Sequence, residues 1–201
     1  MWPSISRLGA VLCMALAVKL MDDLLDGDLG RVDKDGAEAV LGAGGAAAYA
    51  LFLGMVAAAL NTEWAVSLFL AAYAVGMLDN PWRRLPSRLP AGVESFLTVL
   101  IGILAYGWRS ALASLACMVV IQALDDLVDY RRDLQAGRRN WVTATGKFEV
   151  ALMAVIWLII GLSLDWMRLA ASIPGAWLVG FWAARVSTGR LGTGRPADPA
   201  V

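Results

Sequence analysis

Apolar residues run through this chain in long blocks, and the polar residues collect in the seams between them. Blocks long enough to cross about 30 Å of hydrocarbon predict seven helical spans near residues 5–25, 37–60, 63–79, 91–107, 109–128, 147–164 and 167–186. The seams at Asn61–Thr62, Trp108 and Asp165–Trp166 are too short to hold anything but helix hairpins. The other three are longer and carry turn residues. Residues 1–186 therefore read as one all-α domain, a polytopic membrane bundle, and residues 187–201, rich in Gly, Pro and Ala, as a disordered cytoplasmic tail.

Composition sharpens this reading. Of 201 residues 59% are apolar and 17% charged, well outside the range of a soluble domain of this length. Formal net charge is zero, and no basic stripe with interleaved aromatics offers a nucleic-acid surface. With no histidine, Ser/His and Cys/His nucleophilic pairs and the common zinc sites are excluded. Cys13 and Cys117 fall inside apolar runs, as helix-packing residues do. The first block ends in Lys19 and aspartates instead of small cleavage-site residues, so it reads as a retained helix and not a signal peptide.

If the seven spans alternate, one side receives 13 of the basic residues, including Arg31, Lys34, Arg83, Arg84, Arg88, Arg138 and Arg139, and the other only Arg7, Arg109 and Arg168. Excess Lys and Arg in short loops marks the cytoplasmic side. The expected orientation has the amino terminus outside, in the inner or plasma membrane of a prokaryote. Nothing in the pattern specifies an oligomeric state.

The chemistry sits at two block ends. Asp125, Asp126, Asp129 and Asp133 close the fifth span, and helical spacing puts Asp125, Asp129 and Asp133 on one stripe with Asp126 beside it. Asp22, Asp23 and Asp26 close the first. A shift of 103 residues lays Asp22-Asp23-Leu24 and Asp26 on Asp125-Asp126-Leu127 and Asp129. Four predicted spans separate the copies, so both face the cytoplasm, as a parallel repeat requires. Solvated interfacial charge would explain one such run; two with the same spacing point to oxygen ligands for Mg²⁺, which takes a few carboxylates plus substrate phosphates. The implied ligand is a diphosphate with an apolar remainder among the helices. The basic seam Asp79 to Pro90 supplies Arg83, Arg84 and Arg88, which serve either as donors to phosphate oxygens or as topology determinants. Arg31, Lys34, Arg138 and Arg139 carry the same two readings. Lys19 either contacts phosphate or pairs with a neighbouring aspartate, and Gln122 either serves the cluster or bonds another helix. Trp82 and Trp141 are the tryptophans whose loop positions allow a role near substrate. Gly42 to Gly45 reads as close helix packing.

These residues resemble the UbiA superfamily of intramembrane prenyltransferases over most of the chain. Asp22 takes the Asn place of the family's first motif, Asp23 and Asp26 match, and Gly30 stands where a third Asp is usual, with Asp28 nearby. Asp129 and Asp133 match the second motif. Asn80 and Arg84 stand where the family has Tyr-x-x-x-Lys, followed by Leu89-Pro90. Family members typically have nine spans, so this chain is short. The resemblance implies a central cavity capped on the cytoplasmic side and open laterally to the lipid bilayer. It also implies an isoprenyl diphosphate bound through Mg²⁺ to Asp22, Asp23, Asp26, Asp125, Asp126, Asp129 and Asp133, and transfer of the prenyl group to an acceptor. Asp126, Asp129 and Arg84 would be catalytic, with Arg83, Arg31, Lys34, Arg138 and Lys19 on the diphosphate. A membrane terpene cyclase is the alternative within the same chemistry. Asp26-Gly27 with Arg31 resembles part of the CDP-alcohol phosphotransferase motif, but leaves the Asp125 cluster unexplained. A cation- or lipid-binding protein without activity would also use acidic residues, although transporters place theirs near the midplane.

Overall fold

The computed structural model describes residues 2–28, 37–78, 80–136 and 140–191, and every regular element among them is helical. The helices are α1 (Trp2–Asp28), α2 (Ala37–Leu60), α3 (Thr62–Met77), α4 (Ala91–Ala136), α5 (Trp141–Thr145) and α6 (Lys147–Leu191). α4 is broken at Gly107 and α6 at Asp165, so two long elements are each a hairpin of helices. The turns are proven by contacts that a straight helix forbids: Gly102 lies against Ala111, and Gly161 against Leu169. With the break at Asn61 these are the three short seams expected from the sequence. α6 continues through Leu191, so residues 187–191 are helix and not tail, and residues 192–201 lie outside the described part.

Directions alternate along the chain. Gly9 touches Leu60, which sets α2 antiparallel to α1; Ser95 donates to the Ala74 carbonyl at 2.8 Å, which does the same for α3 and the start of α4. Consequently α1, α3 and the second half of α4 run the same way. Their carboxyl ends, Asp22 and Asp125 among them, share one end of the bundle, where Lys19 of α1 lies within electrostatic reach of Asp125.

Packing is inverted relative to a water-soluble core. The interior is built from small residues, Ala10, Ala46, Ala57, Ala65, Ser114, Ala116 and Cys117 among them, whereas Met55 (74% exposed), Leu104 (77%) and Phe148 (75%) stand outside. Small residues let backbones approach when lipid already satisfies the large apolar side chains. Cys13 and Cys117 pack in the main cluster as free thiols. By length and composition, Ser4–Asp22, Trp108–Arg131 and Lys147–Val179 are each apolar enough to cross a membrane, the last one containing the Asp165 break. Gly44–Leu60, Thr62–Met77 and Ala91–Tyr106 are shorter apolar helices.

Gly107 turns the α4 hairpin at φ 82°, ψ 157°, a region that essentially only glycine occupies. A methyl there would meet nothing within 4 Å, so any penalty is purely conformational. Gly107→Ala is expected to cost about 1–3 kcal/mol, read as a lower unfolding midpoint in detergent, while Gly54→Ala, also in open space but within α2, should cost nothing. Gly44 has open space around it, so the close packing expected of that glycine is not found there.

At the end opposite the aspartates, one guanidinium ties the hairpins together. Arg168, counted from the sequence among the basic residues of the non-cytoplasmic side, is 1% exposed. Asp165 stops the first half of α6 with extended backbone, and its side chain accepts the Arg168 N–H at 3.1 Å, starting the next helix with an Asx-type cap. The same carboxylate lies 3.3 Å from Nε. Nη1 donates to Ser114 Oγ (2.7 Å), the Ser110 carbonyl (2.8 Å), Ser110 Oγ (2.9 Å) and Ser67 Oγ (3.2 Å). Nη2 donates to Glu63 at 3.2 Å, and the guanidinium carbon lies 4.9 Å from the centroid of the Trp64 ring, which Arg7 also approaches at 5.3 Å. Each hairpin turn, at Asn61, Gly107 and Asp165, thus has residues just beyond it fastened to one side chain.

Candidate functional site

The α4 helix carries its acidic run out of the apolar block without a break, because Asp125 to Ala136 contains neither Gly nor Pro to end it. Continuous helix keeps Asp125, Asp129 and Asp133 on the expected stripe but turns Asp126 a further 100° or so around the axis. The result is a division between neighbours: Asp125 is exposed, Asp129 and Asp133 are half-buried, and Asp126 is 6% exposed.

Asp126 faces inward onto the link between α4 and α6. Its Oδ1 accepts from Gln122 Nε2 at 2.8 Å, one turn back along the same helix, and its Oδ2 accepts the Trp141 backbone N–H at 2.7 Å. Asn140 completes the arrangement. Its amide nitrogen donates to the Asp126 carbonyl (3.0 Å) and to Asp133 Oδ2 (2.8 Å), and its amide oxygen caps α5 by accepting Val142 N–H at 2.8 Å. Beneath this polar catch, Ala123, Val142, Val150 and Ala154 form a small apolar cluster, against which Leu127, Tyr130, Trp141 and Met153 pack. Lys147 Nζ, at the start of α6, stands 4.2 Å from the centroid of the Tyr130 ring. Trp141, expected as a candidate substrate contact, is thereby part of the packing.

Outside this catch stand Asp125, exposed, and Asp129, half-buried. Around Asp125 the like charges of Asp129, Asp126 and Asp133 and the opposite charge of Lys19 all act. Lys19 also stands 3.9 Å from Asp22, which is exposed. Asp23 and Asp26 belong to α1, but their side chains lie outside the described residues, as do Arg31, Lys34 and Arg138 entirely. Among the described residues no three His, Cys, Asp or Glu groups converge on one ion position. The donor set nevertheless suits Mg²⁺, which accepts one or two carboxylates when substrate phosphates and water supply the rest; Asp125 and Asp129 are that pair. For Asp126 and Asp133 the fit is poorer, since each would have to give up a protein donor.

The basic seam folds as a tight loop. Leu85 N–H donates to the Leu89 carbonyl at 3.1 Å, Arg88 N–H to the Leu85 carbonyl at 2.8 Å, and Ala91 N–H to the Arg83 carbonyl at 2.8 Å. Arg88 takes φ 69° to close it. Arg83, Arg84 and Arg88 are exposed, Trp82 is 86% exposed, and among the described residues no ion pair joins these arginines to an aspartate.

Sequence reasoning missed Asn140 and Arg168. For Asn140 the signal was available as a cap residue before a short helical run. For Arg168 it lay in serines near the starts of two spans, Ser67 in one and Ser110 and Ser114 in another, which hydropathy alone does not weigh. The fold and the aspartate face define an all-helical protein with helices long and apolar enough to cross a membrane. No protein-family model matches the chain, no curated protein matches it, and no solved structure matches it.

Proposed function

We propose that this protein is a seven-span, Mg²⁺-dependent intramembrane prenyltransferase of the UbiA type, with its aspartate end on the cytoplasmic face and both motifs forming a parallel repeat. The observation that carries this reading is the pair of Asp-Asp-Leu-x-Asp runs ending helices of the same direction at one end of the bundle. Lys19 from the first copy lies within electrostatic reach of Asp125 in the second. Asp125 and Asp129, with Asp23 and Asp26 from the other copy, would hold Mg²⁺, which supplies charge neutralisation for a leaving diphosphate. In the reaction the allylic carbon–oxygen bond breaks, the diphosphate leaves with the electron pair, and an acceptor gives up a proton as it is alkylated. Arg83 and Arg84 would donate to the departing phosphate oxygens, and the apolar helices keep water from the cation.

The test is release of diphosphate from geranyl, farnesyl and geranylgeranyl diphosphates by the purified protein in lipid, with Mg²⁺ and with a chelator. Asp125→Ala with Asp129→Ala is expected to reduce release by about 10²–10³-fold, the scale for losing a positioned electrostatic stabiliser. Product masses separate transfer from cyclisation. Absence of binding of all three diphosphates would sink the reading.

A further inference from the structure

A groove of about 430 Å³ runs between α3 and the first half of α4. Phe69, Leu70, Leu97 and Ile101 form its walls and Leu89 of the arginine loop closes one end. At that end stands Glu94. Its Oε2 accepts from the Tyr73 hydroxyl at 2.5 Å and its Oε1 from the Ser87 hydroxyl, while Ser87 Oγ accepts the Leu89 N–H at 3.2 Å. A carboxylate offers about four lone-pair sites, so two remain for an incoming donor. Next to Ser87 and Leu89 the loop carries Arg84 and Arg88, both exposed. The groove is therefore mostly apolar along its length and ends in one anion, Glu94, against a loop whose exposed residues include Arg84 and Arg88.

We propose that this groove binds a phospholipid with a primary ammonium headgroup, of the phosphatidylethanolamine class, one acyl chain lying along Phe69, Leu97 and Ile101. Charge order selects it. The ammonium brings hydrogen-bond donors to Glu94, and the phosphate meets the guanidiniums of Arg84 and Arg88. A choline headgroup has the charge without an N–H to donate, and a glycerol headgroup has no cation for Glu94. Arg84 is also the residue proposed to donate to the leaving diphosphate, so the lipid site is tested by headgroup preference alone, a readout that does not depend on the prenyltransferase reading.

The test uses the full chain in mixed micelles containing equal amounts of phosphatidylethanolamine, phosphatidylcholine and phosphatidylglycerol with the same acyl chains, with retained lipids counted by native mass spectrometry. Phosphatidylethanolamine is expected to be enriched about fivefold, which is what an exposed ion pair supplies. Glu94→Gln should bring it to parity with phosphatidylcholine, and Leu97→Trp, which fills the groove, should lower retention of all three. Tyr73→Phe keeps the carboxylate and should keep the preference, so a fold failure of Glu94→Gln still leaves a readable variant. Equal retention of the three lipids by the wild type overturns the proposal, as does enrichment of phosphatidylglycerol, which would assign binding to the arginines alone. A preference that survives in Glu94→Gln, or is lost in Tyr73→Phe, overturns it as well.

Discussion

Arg168→Ala is expected to be among the most destabilising single substitutions in the described part of this protein, by about 2–3 kcal/mol: the guanidinium is buried, but Asp165 is 27% and Glu63 52% exposed, so the loss is that of hydrogen bonds to a charged group and stays below that of a fully buried pair. Removing the guanidinium leaves Asp165 and Glu63 without their cation and takes the donor away from Ser67, Ser110 and Ser114 at once. The serines suffer least, since Ser67 still bonds the Glu63 carbonyl and Ser114 still bonds Ser67. Asp165, the less exposed of the two carboxylates, weighs most in the outcome. Arg168→Met should therefore be less damaging when combined with Glu63→Gln and Asp165→Asn than the sum of the separate changes predicts, because the uncompensated charges disappear together. Unfolding in graded denaturing detergent, with the three variants and their combination, gives the coupling. An Arg168→Ala protein that unfolds with the wild-type midpoint would show that the guanidinium fastens nothing.

Asp126 is the second position of large effect, and there the two possible roles make opposite predictions for one substitution. As a catch for the α4–α6 link, Asp126 needs acceptor oxygens and not a full charge. Asp126→Asn keeps an oxygen for the Trp141 N–H, and Gln122 rotates its amide to match the new donor. Asp126→Ala leaves the Trp141 N–H and the Gln122 amide without their acceptor. Hydrogen exchange of the Trp141 and Val142 amides is expected to quicken by about ten- to hundredfold in the alanine variant, the range for a hydrogen bond to a charged group. In the asparagine variant it should stay within about threefold of wild type. As a metal ligand, Asp126 would require the negative charge, so Mn²⁺ affinity would fall in both variants while amide exchange stayed put. Exchange unchanged in the alanine variant would sink the catch, and the cation titration alone would then speak to the site.

How much of this was readable beforehand follows from what apolar runs encode. Runs interrupted at Asn61–Thr62, Trp108 and Asp165–Trp166 announced three hairpins, the middle one breaking one residue earlier, at Gly107, because a helix that must reverse within one or two residues needs a break close by. Helix ends were less legible. α1 and α4 were expected to stop near residues 25 and 128 but continue through Asp28 and Ala136, since charged residues end an apolar run without ending a helix. The aspartate stripe was legible in its spacing; its split into outward Asp125 and inward Asp126 was not, because which side of the helix meets α5 and α6 is a tertiary fact. Arg168 was the clearest failure. A charge three residues past a break counts toward topology in a hydropathy reading, and only the positions of Glu63, Ser67, Ser110 and Ser114 in space show that it points into the bundle.

The Arg168 junction also has an order in time. Every partner outside its own hairpin, from Glu63 to Ser114, is synthesised before it, and chains are made and begin to fold from the amino terminus. The last hairpin therefore brings a guanidinium to acceptors already in place. Arginine is among the costliest residues to bury in a bilayer, yet here it need never wait alone in one. Ribosome-bound chains stopped beyond residue 191 should resist extraction and proteolysis far better than chains stopped before residue 165, although the two differ by a single helix.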